Sequence, residues 1–236
     1  VHAQDAPRDT LLFRVSPPAD RSIPVETRRQ LYRQLLERAV SVPGVEGASG
    51  AVTGLLSSET WRNVITIEGA IPPDGRTQRT FVNAVTPAYF DVMRIAVLRG
   101  RAFTDDDRAP ATTVIVNDAF ARRFFGGLDP IGARVGLCSS EPCAPSTTRM
   151  MEVDGLAEDT KYPNLREPAP PILYVPFVQF ERNLGEIQVR TTGDVSAVAS
   201  TLYRALADVD PRLAIVQMMP PRGPVDGPLA SQNMVA

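Results

Sequence analysis

A strand–helix–strand order occurs twice in this sequence, once near each end, and any fold must reconcile those two units with what lies between them. Leu11-Leu12-Phe13-Arg14-Val15 is a short apolar run closed by Ser16-Pro17-Pro18, the pattern of a buried strand. From residue 24 to 40, Leu31, Leu35, Leu36, Ala39 and Val40 recur at three- and four-residue spacing among Arg28, Arg29, Arg33, Glu37 and Arg38. That spacing predicts an amphipathic helix. Ser22 stands where an N-cap is needed, Pro24 suits a first turn, and Pro43-Gly44 stops the helix before a second strand over 45–53. Near the other end, 186–191 alternates as a strand does. Asp194 then caps a helix striped by Val195, Val198, Leu202 and Leu206, Asp210-Pro211 ends it, and 213–218 closes the unit. The two helices even share a phrase, Leu31-Tyr32-Arg33-Gln34-Leu35 and Leu202-Tyr203-Arg204-Ala205-Leu206.

The middle has a different texture. Strands are predicted over 63–68 and 80–85, separated by the turn Pro72-Pro73-Asp74-Gly75. Thr86 caps a short helix with Pro87 at its first position and Tyr89, Phe90 and Met93 on its buried side. Val114-Ile115-Val116 reads as a buried strand; Asn117 caps a helix through Phe125, which Gly126-Gly127 ends. Strands over 151–155 and 172–176 flank a proline-rich connector at 167–171. The layout is a split α/β platform carrying a foreign insertion.

Chemistry is excluded more readily than found. A net charge of −2 over 236 residues offers no concentrated basic face for nucleic acid. At 43% hydrophobic and 22% charged the chain is that of an ordered globular protein. His2 is the sole histidine, which removes Ser-His-Asp, Cys-His and multi-histidine metal sites. A Ser-Lys hydrolase would need Lys161, the one lysine, yet no Gly-x-Ser-x-Gly turn occurs. There is no P-loop. Asp105-Asp106-Asp107 reads as a solvated acidic loop, because consecutive residues of an extended segment do not converge on one ion. No leader precedes the first strand, and no stretch approaches the roughly 20 apolar residues that span a bilayer. Both facts are expected of a soluble protein and equally of a loop between two membrane helices. Cys138 and Cys143 lie in Cys-Ser-Ser-Glu-Pro-Cys, read as a loop. They either form a disulfide closing a small ring, which implies an oxidising compartment, or are two free thiols that fall close together. Zinc lacks a second Cys or His pair.

A series of segments follows in fixed order: Thr86-Pro87-Ala88-Tyr89-Phe90-Asp91, Leu98-Arg99-Gly100-Arg101-Ala102-Phe103, Val114-Ile115-Val116-Asn117-Asp118-Ala119-Phe120-Ala121-Arg122-Arg123-Phe124-Phe125 and Asp129-Pro130-Ile131-Gly132. After them come Asp159-Thr160-Lys161-Tyr162, Leu165-Arg166-Glu167-Pro168 and Tyr174-Val175-Pro176-Phe177. The series resembles the MacB-like periplasmic core domain of ABC-transporter permeases, nearest to the large duplicated permeases common in Acidobacteria, and covers nearly the whole chain. The resemblance implies an α+β fold of two subdomains. One is a split porter-like platform of two βαβ units, residues 1–58 and 168–236; the other is an inserted mixed α/β subdomain, residues 59–167. It implies an inner-membrane protein whose domain faces the periplasm, anchored by flanking helices outside this chain.

The implied function is non-catalytic: coupling cytoplasmic ATP hydrolysis to efflux or transmembrane mechanical signalling. The subdomains would shift as units about the crossings near 57–61 and 165–171. No cofactor is expected, since ATP would be bound by a separate cytoplasmic domain or subunit. The expected partner is that ABC ATPase, reached through the full-length permease, together with a second permease copy or a periplasmic adaptor. Pro87, Tyr89, Phe90, Arg99, Gly100, Arg101, Phe103, Asn117, Phe120, Phe124, Asp129, Pro130 and Gly132 carry the likeness and read as architectural, with turn chemistry at Arg99-Gly100-Arg101 and at Asp129-Pro130-x-Gly132. The alternatives are a stand-alone secreted binding protein for a lipid, lipoprotein or peptide, and an unrecognised extracytoplasmic hydrolase.

Overall fold

The computed structural model describes residues 9–16, 24–54, 60–69, 77–107, 113–160, 168–193 and 195–218. In chain order the elements are β1 (Thr10–Ser16), α1 (Val25–Val40), β2 (Val45–Ala51), β3 (Arg62–Ile67), β4 (Gln78–Val85), α2 (Tyr89–Val92), β5 (Val97–Gly100), β6 (Thr113–Asn117), α3 (Asp118–Phe125), β7 (Arg134–Cys138), β8 (Thr148–Ala157), β9 (Ile172–Pro176), β10 (Glu186–Thr191), α4 (Val195–Ala207) and β11 (Ala214–Met218).

The two ends of the chain build one sheet. Its order is β11-β1-β10-β2, and every neighbouring pair is antiparallel. The strands of each strand–helix–strand unit are therefore not neighbours; a strand of the other unit lies between them, so neither unit completes a sheet alone. Helical periodicity holds for α4 and in part for α1. Val198, Leu202 and Leu206 of α4 are buried with Ala205; in α1 Leu35 and Ala39 are buried with Tyr32, Leu31 and Leu36 are half-buried, and Val40, read into the apolar stripe, is exposed at the end of the helix. The buried residues share a cluster with Leu11, Phe13, Val15, Ile187 and Val189, the alternate residues of β1 and β10.

The middle is richer in strands than a mixed α/β insertion. β4-β3-β7-β8-β6-β9 pair in succession, and β9 pairs back onto β4 in parallel register, so six strands close a ring. The β6–β8 pair is also parallel. Val82, Ala84, Val114, Val116, Val135, Leu137, Val153, Leu173 and Val175 belong to the same cluster as the end sheet, with Phe120 of α3. Residues one place out of phase (Phe81, Val85, Ile115, Ile172, Tyr174) belong to a second cluster with Tyr89 and Phe90 of α2. Period-two alternation thus gives each of these strands two buried faces.

The end sheet and the ring share one buried cluster, but their backbone pairing is a narrow seam. β2 and β4 share one paired position, Ala51 opposite Val85. Side chains extend the pairing: Thr86 Oγ1 accepts from Gly50 N at 2.9 Å while Thr86 N donates to Gly50 O at 2.9 Å. Asn83 accepts from Thr53 N and donates to Thr53 O, both at 3.0 Å. This corrects the reading of Thr86 as a helix cap; its hydroxyl faces β2, and α2 begins two residues beyond Pro87 with no side-chain cap. Ser22 and Asp194, read as caps of α1 and α4, lie outside the described residues.

Candidate functional site

The family-motif residues converge on three constructions around the ring. The first centres on Asn117, the last residue of β6 and fully buried. Its Oδ1 accepts from Phe120 N at 3.0 Å, which caps α3, and from Ile172 N at 2.8 Å, which holds β9. Its Nδ2 donates to Pro170 O at 2.9 Å and to Asp159 Oδ1 at 2.8 Å. Asp159 in turn accepts from Ala119 N at 2.8 Å and from Arg122 at 2.6 Å. At the other end of α3, Gly126 takes φ 63, the left-handed cap that glycine permits. Phe120 is buried, and Phe124 stacks against it with centroids 4.6 Å apart.

The second construction is the arginine pair flanking Gly100. The sequence reads Arg99-Gly100-Arg101 as a turn; Arg99 and Gly100 instead end β5, which pairs with β8, and Arg101 follows it. Gly100 has φ 72, and a Cβ there would collide with the carbonyl of Asp154. Arg101 grips Asp107 with two bonds of 2.8 Å and reaches Asp154 at 2.5 Å. Its guanidinium holds the Asp107 carboxyl below its ordinary range. The acidic triplet is therefore not simply a solvated loop, since Asp107 is a structural counter-ion that also accepts from Thr104 N at 2.7 Å. Arg99 bridges to Asp129 at 3.1 Å. Asp129 also opens a turn in which Ile131 N donates to it at 3.2 Å, Pro130 is buried, and Gly132 at φ 80 donates to Val153 O at 2.9 Å.

The third is aromatic. Phe90 lies 5.2 Å from Tyr174 and 5.9 Å from Phe103, and Tyr89 lies 6.1 Å from Tyr174. Pro87 sits half-buried in the turn that leads into α2. Burial pushes the Tyr174 hydroxyl up to about 12, with Thr160 Oγ1 at 3.3 Å as its partner.

Each construction joins guanidinium to carboxylate, amide to backbone, or ring to ring, and holds strands in place. None pairs a nucleophile with a base. Among the described residues no three His, Cys, Asp or Glu side chains gather as metal ligands; His2 and Lys161 lie outside the described residues. Cys138 and Cys143 are bonded, their Cα atoms 5.4 Å apart. Cys138 is not in a loop but ends β7, and the loop starts at Ser139. Sequence reasoning missed the partners Asp154, Asp107 and Asp159. It also missed a cleft formed by Trp61, Phe180, Arg149 and Arg182 beside the disulfide.

This architecture is that of extracytoplasmic domains of permeases. The chain is similar to the periplasmic region of MacB from Actinobacillus actinomycetemcomitans, with a TM-score of 0.59, 13% identity and 89% of each chain covered. It is similar to the extracellular domain of the noncanonic ABC-type transporter YknZ from Gram-positive bacteria, at 0.54, 18% identity and coverage of 87% of this chain and 98% of that one. A permease domain from Porphyromonas gingivalis matches at 0.56, 15% identity, with 95% and 96% covered. No curated protein matches the chain. At these identities the structures establish the fold. Residues 3–205 match the MacB-like periplasmic core domain, and the chain belongs to that family, the periplasmic domains of MacB-type ABC-transporter permeases.

Proposed function

We propose that this chain is the non-catalytic periplasmic part of an inner-membrane MacB-type permease, coupling ATP hydrolysis by a separate cytoplasmic ABC ATPase to efflux or to a mechanical signal. The observation that carries the reading is the family match over 3–205; the bonds of Asn117 and the Arg99–Asp129 pair, which tie strands and turns together, suit a structural role. The Cys138–Cys143 bond suits an oxidising compartment.

In this reading residues 1–58 and 177–236 form the porter-like platform attached to the membrane helices, and 59–176 form the second subdomain; the boundary expected at 168 moves past β9, because β9 pairs with β4 and β6 in the ring. Force passes between them through the seam, where the Gly50–Thr86 and Thr53–Asn83 pairs tie backbone to backbone across buried positions. Such pairs are costly to open without a replacement partner, so displacement of the platform carries the ring with it.

The test is the sequence of the intact gene on either side of residues 1–236. Spans of roughly 20 apolar residues on both sides support a permease. A cleavable signal upstream with a stop codon just downstream overturns it. One observation, the arginine–aromatic cleft, favours the second reading, a stand-alone secreted binding protein for a lipid, lipoprotein or peptide, and that outcome would select it.

A further inference from the structure

The cleft beside the disulfide belongs to none of the three constructions above. It has a volume of about 480 Å³ and is walled by Trp61 before β3, by the β7–β8 hairpin and by residues 180–182 after β9. Two of its walls are cations laid on rings. The Arg182 guanidinium carbon lies 3.9 Å from the Trp61 ring centroid, and that of Arg149 lies 4.9 Å from Phe180. The two rings meet edge to face at 5.7 Å, so each fixes the other. A guanidinium held over a ring keeps its charge and its N–H donors at the cleft, where a pair of them suits capture of an oxyanion.

These cations also lack the counter-ion that other arginines of the chain have. Arg99, Arg101, Arg122 and Arg190 all pair with carboxylates. Among the described residues, Arg149 has the Phe180 ring and the Gln179 carbonyl at 3.3 Å, and Arg182 has the Trp61 ring; neither has a carboxylate. Partial burial pulls both guanidinium pKa values down. The remaining polar groups add donors. Asn63 uses its carbonyl for Val64 N at 2.8 Å, and among the described residues no acceptor takes its amide N–H groups; Ser146 lines the same cleft. One carboxylate, the exposed Glu181, stands against two guanidiniums.

We propose that this cleft binds a phosphate-type anion, held between Arg149 and Arg182 with Asn63 and Ser146 as further donors, while any apolar part of the ligand lies along Trp61 and Phe180. The chemistry is the same for a free phosphorylated solute and for a lipid phosphate head group, and the experiment separates them.

Trp61 is the only tryptophan, so its fluorescence reports on this cleft without labelling. The 236-residue chain is titrated with pyrophosphate and, separately, with a short-chain phosphatidate kept below micelle formation, each up to about 10 mM against sodium chloride of equal ionic strength. The expected result is a saturable change in emission with at least one probe, weakened about tenfold or more in Arg149→Gln/Arg182→Gln. Saturation by pyrophosphate identifies a free anion, and saturation by phosphatidate alone identifies a lipid head group; either upholds the site. A flat response to both probes, matched by no heat in calorimetry of the wild-type chain, overturns it. So does a response that the double variant retains in full. Circular dichroism and the melting temperature of the variant confirm that any loss is not unfolding, and calorimetry on the wild type decides the matter without any variant.

Discussion

Asn117→Ala is the sharpest test of the reading that the family residues are architectural. The side chain is fully buried and makes four bonds, so its removal acts on the α3 cap and on one end of the β6–β9 pairing together. Loss of the α3 cap costs about 0.5–2 kcal/mol. The Ile172 N–H, left buried without an acceptor, adds about 1–3 kcal/mol. Because the two share one cavity they will not add fully, and the expected loss is roughly 2–4 kcal/mol, a large part of an ordinary stability of about 5–15 kcal/mol. Two further variants divide the total. Asn117→Ser can still accept from Phe120 N but cannot reach Ile172 N, and should lie between wild type and alanine. Asn117→Asp keeps both acceptors but turns an oxygen toward Asp159 Oδ1 and Pro170 O, where the native amide donates, and should destabilise with the cap intact. The assay is urea unfolding followed by circular dichroism, comparing midpoints at constant slope. A loss below about 1 kcal/mol for alanine, or serine and aspartate variants as stable as wild type, would refute the role given to this residue.

Gly100→Ala should cost about 2 kcal/mol or more, since φ 72 disfavours a side chain and its Cβ would strike the Asp154 carbonyl; a melting temperature equal to wild type would contradict this. Cys138→Ser/Cys143→Ser, or reduction, should lower stability by at most about 2 kcal/mol, because a link between residues five apart constrains the unfolded chain little. Asp107 titrates below the ordinary aspartate range when folded, so its contribution is present above about pH 4 and is lost as pH falls through its depressed folded value. Asp107→Asn should flatten that acid limb, read from unfolding midpoints at a series of pH values. Tyr174 has the opposite sign: its contribution is present below about pH 10 and disappears as pH rises toward about 12, and Tyr174→Phe should flatten the alkaline limb.

What the sequence disclosed follows from which forces are local. β9 is a continuous apolar run and β10 alternates, which bounds them at 172–176 and 186–191 from sequence alone, and α3 has both a capping Asn117 and a terminating Gly126. β5 was illegible as a strand because Leu98, Arg99 and Gly100 are exposed and the glycine breaks the pattern. β7 escaped because Gly136 interrupts a five-residue run; that glycine is needed where the Thr148 and Met150 side chains cross it. Ring closure is non-local: β4 meets β9 in parallel register, Phe81 opposite Ile172, and nothing within either strand announces the other. The same holds for the ion pairs. Arg101 and Asp154 stand 53 residues apart, and Arg122 and Asp159 stand 37 apart. The cleft is harder still, since Trp61, Arg149 and Arg182 come from three separate segments.

The separation of signature and cleft explains why family membership leaves the ligand open. The family residues buttress one side of the ring: α2 and Phe103 cover β4, β6 and β9, α3 is anchored on β6 and β9, and Gly100 lies against β8. The cleft lies on the other side, along β3 and β7, with β8 common to both; Asp154 of that strand faces Arg101, and Arg149 faces Phe180. A substitution at Asn117 or Gly100 disturbs strand pairing, so the physics of the fold restrains it. Arg182 and Trp61 bear little of that load, since their stacking lies on a rim and can be exchanged for other chemistry without opening the ring. The place to look for what this domain binds is therefore the rim, where side chains can change without opening the strand pairing of the ring.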